Sequence, residues 1–162
     1  MLENLITDRT LSDVQRWLYL RNKGYDKMTE AEKAEWNNGL KGAYNITDLN
    51  RVGNALKYLQ NRLVEAGYLV GIEFTPKTDW NGTETITTAE FAEYINAVAT
   101  VRGALSQLST TPPAPPNTGS LDFQGANDIE QILIDVEYLI NKMQEKPLYC
   151  GELYTGEIGG TK

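Results

Sequence analysis

The chain is expected to fold as a mainly α-helical bundle: three long amphipathic helices, one or two short N-terminal helices, a small β element and a β-prone C-terminal tail. Three observations carry that expectation. Apolar residues recur at helical spacing in three separate segments, a proline-dense stretch divides the second from the third, and the residues after Lys146 switch to a different rhythm.

The first short helix is expected in "TLSDVQRWLYLRNKG". Thr10 or Ser12 can cap it, Val14, Trp17, Leu18 and Leu20 supply its apolar side, and Gly24 stops it. A second follows in "MTEAEKAEWNNGLKGAY", where Thr29 and Glu32 stand at capping-box spacing. Trp36 and Leu40, one turn apart, are its expected buried side, and Trp17 and Trp36 read as core residues.

The first long helix, residues 46–66, places Leu49, Val52, Leu56, Leu59 and Leu63 on one stripe, with Thr47 as the expected N-cap. Residues 88–109 repeat the rhythm with Phe91, Tyr94, Val98, Val101, Leu105 and Leu108. Residues 126–145 repeat it again with Ala126, Ile129, Leu133, Val136, Ile140 and Met143. Three such stripes can bury one another. Between the first two helices, "YLVGIEF" is rich in β-forming residues and predicts a strand or hairpin. Between the last two, residues 110–120 form an extended, proline-rich surface connection that lets the chain return along the bundle. Residues 1–146 thus read as one helical domain. Residues 147–162, "LYCGELYTGEIGGTK" after Pro147, read as a β-prone interaction tail, because a lone two-stranded element is marginal in water.

Composition excludes several function classes. The chain has 162 residues, enough for one domain with its own core. Its 22 acidic against 15 basic residues give a net charge of -7, which opposes nucleic-acid binding. With no histidine and one cysteine, Cys150, the chain lacks the parts of a catalytic triad, a cysteine–histidine pair, a histidine-ligated zinc or a disulfide. No EF-hand loop, P-loop or dinucleotide-binding glycine pattern is present. No cofactor, metal or catalytic residue is therefore expected. Without a basic and apolar leader or a spanning stretch, the expectation is a soluble protein made in a cytoplasm.

The polar cluster in "TDLNRVGNALKYL" is the first candidate site. Thr47 and Asp48 suit a helix opening, whereas Asn50, Arg51 and Asn54 fall largely off the apolar stripe and are expected to face solvent or a partner. In "ANDIEQIL", Asn127 aligns with Asn50 when the stripes are superposed, and Ala92 stands at the matching place in the second helix. A repeated asparagine suggests a repeated structural job, such as bonding a neighbouring helix end or loop. Trp80, in the loop "KTDWNGTE", and Tyr149 and Tyr154 of the tail are the aromatic candidates for a partner or ligand surface. The carboxylate pairs Glu90 with Glu93 and Asp135 with Glu137 would catalyse hydrolysis only if they converged across a cleft in differing environments. On exposed helix faces they are solvated charges.

Together, "YNITDLNRVGNALKYLQNRL", "MTEAEKAEWNNGLKGAY", "ANDIEQILIDVEYLINKM" and "YCGELYTGEI" resemble segments of small structural proteins of the tail-module region of Firmicutes phages and prophages. The likeness covers most of the chain, and the helix opening is similar to those of tail-fibre and baseplate components. Gly53 departs from it, standing where those openings commonly carry a glutamate. The resemblance implies a virion structural protein, assembled in the host cytoplasm as an oligomer, with no catalytic residues. The expected partners are copies of itself or another virion protein, with no nucleic acid or membrane. A receptor- or carbohydrate-binding module, with a host-surface glycan as ligand, is the alternative, and a carboxylate-dependent hydrolase stands behind it.

Overall fold

The computed structural model describes residues 2, 4–68, 73–82, 84–117 and 120–145. Among them the chain is mainly helical: α1 (Leu11–Lys23), a short 3-10 turn (Tyr25–Lys27), α2 (Glu30–Asn37), α3 (Ile46–Glu65), α4 (Thr88–Gly103) and α5 (Phe123–Glu145). No strand forms among the described residues. Most of the segment expected to be β, residues 69–72, lies outside them, as does the whole tail with Tyr149, Cys150 and Tyr154.

Local chemistry fixes the helix ends. Thr10, Thr29 and Thr87 each cap a helix by accepting from the backbone N–H three residues on, while Asp13, Glu32 and Glu90 reach back to the capping residue's own N–H. Gly24, at φ 79°, closes α1 by donating its N–H to the Leu20 carbonyl. The cap of α3 is Asn45, not Thr47: Asn45 Oδ1 accepts from Thr47 N (2.8 Å), and Asp48 Oδ2 accepts from Asn45 N (2.8 Å). An asparagine one residue ahead of the helix outcompetes a threonine already inside its first turn.

α4 is shorter than its apolar rhythm implies. Gln107 Nε2 donates to the carbonyls of Arg102 and Leu105, taking up an acceptor that a continuing helix would have used. Arg102 Nε then donates to the Pro112 carbonyl (2.7 Å) and draws the proline-rich connection back against the helix. At its other end, Asp122 Oδ1 accepts from Gly125 N (2.7 Å) and starts α5 three residues early.

The three long helices pack each against the other two. Their stripes meet in a core where Val52, Leu56, Leu59, Leu63, Val98, Val101, Ile129, Leu133 and Val136 are fully buried. Burying each such side chain contributes about 1.5–3 kcal/mol. Met143 is exposed, so the α5 stripe outruns the core. The N-terminal pair is attached differently: Leu20 is the one buried residue of α1, and Trp17 and Trp36, expected in the core, are only half-buried. Arg21 stacks over the Trp17 ring at 5.2 Å and shields it from water.

Candidate functional site

The polar opening of α3 folds inward. Arg9, from the segment preceding α1, lies between α3 and α5 with its side chain 2% exposed. Its Nη2 donates to Asp48 Oδ1 (2.9 Å) and Glu130 Oε1 (2.6 Å), and its Nη1 to the Ile6 carbonyl (2.7 Å). Arg51 engages Glu130 through two nitrogens, Nε to Oε2 at 3.2 Å and Nη2 to Oε1 at 2.9 Å, and pairs with Asp48 as well. Glu130 Oε2 also accepts from Ile6 N (2.6 Å). Two arginines and two carboxylates thus neutralise one another in a nearly dry setting, where each remaining lone pair needs a donor. Asp48 serves two structures at once, the cap of α3 through one oxygen and the arginines through the other.

Next to this hub Tyr44 lies under the Arg9 guanidinium, 5.4 Å from ring centroid to charge, and its hydroxyl meets that of Tyr94 at 2.5 Å. Burial pushes both phenols well above their ordinary pKa, so neither supplies a phenolate at neutral pH. Arg51 is held charged, above its usual value, by Glu130 and Asp48 against the cost of burial.

Asn127 and Asn50 do the same job at two places. Asn127 Oδ1 accepts from Arg9 N (3.0 Å) while its Nδ2 donates to Arg9 O (2.9 Å). Asn50 Oδ1 accepts from Trp80 N (2.8 Å) while its Nδ2 donates to Trp80 O (2.9 Å). Each carboxamide therefore satisfies both backbone groups of one residue in a non-helical segment, as a neighbouring strand would. Replacing either asparagine with alanine leaves that pair unsatisfied and is expected to cost about 1–3 kcal/mol. Amide hydrogen exchange separates the two: it should accelerate at Arg9 in Asn127→Ala and at Trp80 in Asn50→Ala, and acceleration at both sites in either variant would contradict independent clasps.

The loop at residues 73–80 lies along α3 by this means. Gln60 Nε2 donates to Phe74 O (3.0 Å), and one end of the loop is clasped by Asn50. Between them the backbone comes so near that a Cβ on Gly53 would stand 2.3 Å from the Lys77 carbonyl oxygen. That approach is why a glycine occupies the middle of α3. Trp80 is consequently buried, 6% exposed, and offers no outward platform for a sugar ring or partner. Its position in a polar loop sequence concealed this, because the loop is held by side chains of a distant helix. Asn50, Arg51 and Asn127, expected on a partner surface, are likewise turned to internal partners.

Two depressions border these groups. One, of about 420 Å³, opens beside the α3 start and is lined by Asp8, Lys41, Asn45, Asp48 and Arg51 among others. The other, of about 490 Å³, lies between the 73–80 loop and α4. Glu90 and Glu93 share the second, but Glu90 accepts from the Thr87 hydroxyl (2.7 Å) and N–H (2.9 Å), which hold its carboxyl below the ordinary range. It carries no proton to donate at neutral pH. Asp135 is tied to Thr111 Oγ1 (2.6 Å) and Gln131 Nε2 (2.7 Å). Among the described residues no group of histidine, cysteine, aspartate or glutamate side chains could hold a metal ion, and no helix is long and apolar enough to cross a membrane.

Sequence reasoning missed Arg9, Glu130 and Tyr44, and placed Tyr94 on the buried stripe of α4 without its hydroxyl partner. Glu130 did carry a signal: it stands four residues after Ala126 and three before Leu133, on the buried face, where a carboxylate requires a cation. Arg9 carried none, since it precedes any periodic segment. No protein-family model matches the chain, and no curated protein or solved structure matches it.

Proposed function

We propose that this chain is a non-enzymatic structural or assembly component of a phage or prophage virion, associated with the tail, fibre or baseplate. It works through protein–protein contacts with copies of itself or a neighbouring virion protein, is assembled in the host cytoplasm and resides in the particle. The motif resemblance supplies the setting. The observation that carries the non-enzymatic, architectural half is the closed hub of Arg9, Asp48, Arg51 and Glu130, whose charges are spent on one another and on backbone groups. Such an arrangement positions segments, and none of its four side chains is left as a free acid or base.

Contact-making surface remains on the N-terminal helices. Leu11 (57% exposed), Tyr19 (51%) and Tyr25 (46%) stand outside the core in a region that buries little of itself. Light scattering should find the full-length chain larger than a monomer, and a version ending at Lys146 or carrying Leu18→Ser and Tyr19→Ser smaller. The chain should also travel with purified particles in a density gradient. A monomer throughout, absent from particles, would overturn the proposal.

A further inference from the structure

We propose that residues 5–9 of one copy seat between α3 and α5 of a neighbouring copy, so that chains join by exchanging this segment. The partner is thus a second copy of the chain, and the inference rests on the reading that the protein works by contact with copies of itself. The seat is a complete binding site for a non-helical segment. Leu5 packs against the core that Leu2 enters, Glu130 accepts from Ile6 N and from Arg9, Asp48 accepts from Arg9, and Asn127 satisfies both backbone groups of Arg9. Glu130 is wholly buried and needs that cation, so a stable fold keeps the seat filled, whichever copy supplies the segment.

Three observations set the following arm, residues 10–43, apart from the bundle that holds the segment. The hydrophobic core of the long helices takes in Leu2, Leu5 and Tyr44 but nothing from the arm, whose own buried residues, Leu20 and Met28, lie outside it. Among the described residues, the side-chain hydrogen bonds and ion pairs of residues 10–41 stay within residues 8–41, as in Arg16 with Glu35, Lys23 with Glu32 and Lys41 with Asp8. Arm and segment therefore travel together. The arm also faces the bundle across an unfilled depression of about 420 Å³, with Gly39 and Lys41 on one side and Thr47 and Arg51 on the other. A Cβ on Gly42 would strike the Asp13 carbonyl, so Gly42 belongs to the arm, whereas Tyr44 is held by Tyr94 of the bundle. Ala43 is the pivot between them, and a short hinge between two self-contained units favours pairing across copies. Exchange keeps every contact of the seat, and the balance is set by what the exchanged arms bury of Leu11, Leu18, Tyr19 and Tyr25, all exposed on a lone chain.

Full-length chain labelled with heavy nitrogen is unfolded in urea with an equal amount labelled with heavy carbon, and the two are refolded together. A nuclear Overhauser signal should then connect the Arg9 amide proton of one label with the Asn127 side-chain protons of the other. Complementary charge reversals give an independent reading. Arg9→Glu and Glu130→Arg each set like charges together in a lone chain and should melt low. In a mixture of the two, exchange sets the Arg9 of one variant against the Glu130 of the other and the two reversed side chains against each other. The mixture should therefore melt at least about 6 °C above either variant alone. A monomer, an associated form without the cross-copy signal, or a mixture that melts no higher than its parts overturns the exchange. A chain that joins particles without the signal sinks this inference alone, while exchange by a chain absent from particles sinks the virion reading alone.

Discussion

Replacing Glu130 with alanine is expected to destabilise the protein by about 3–5 kcal/mol, the cost of stranding two buried cations. For a chain of this size that corresponds to a fall in melting temperature of about 6–20 °C. Arg9 and Arg51 would keep Asp48 alone as a carboxylate partner, and Ile6 N would lose its acceptor. Arg9→Ala should be costly for the converse reason, leaving Glu130 with less compensation in a wholly buried place. The double variant should lose less than the sum of the two, by about 1–3 kcal/mol, because each single change spoils the same pair. Urea denaturation of the four proteins closes the cycle. Strict additivity would mean that the hub is not a coupled unit.

The second large effect is expected at Gly53. Alanine in the middle of a helix ordinarily stabilises it by about 1 kcal/mol over glycine. Here the added methyl would meet the Lys77 carbonyl at 2.3 Å, and the contact is backbone, which cannot swing aside as a side chain would. Overpacking of this kind costs about 1–3 kcal/mol, so alanine should come out neutral to destabilising and valine clearly destabilising. The disturbance should be local before it is global. Protease cleavage within residues 73–80 and a shift of the Trp80 indole signal should precede loss of helical circular dichroism. A gain in stability for Gly53→Ala would show that the loop does not press on α3.

Much of the helical content was legible because burial repeats with the helix period: the stripes on α3 and α5, Met143 apart, are residues that became core. The ends were less so. α4 ends at Gly103, where one glutamine side chain captures the Arg102 carbonyl, an event that apolar spacing does not encode. The repeated asparagine was a truer guide than the cluster around it. Two carboxamides at matching helix positions do the same backbone-clasping work, while Arg51, the most reactive-looking neighbour, is absorbed by a glutamate 79 positions away. Trp80 was misread for a related reason: its burial is conferred by Asn50 and Gly53, and nothing within its own loop announces it.

The hub joins residues that are made far apart in time. Arg9 is synthesised 121 residues before Glu130 and 118 before Asn127, its carboxylate and its backbone clasp on α5. During synthesis the N-terminal segment therefore waits, with a charged side chain in water, until α5 has been made. Its docking then closes the 121-residue separation between Arg9 and Glu130 in one step. Arg9 acts as a late lock: α1 and α2 gain their fixed orientation only when the three long helices are already together, which places the exposed side chains of the N-terminal pair among the last parts of the surface to be set.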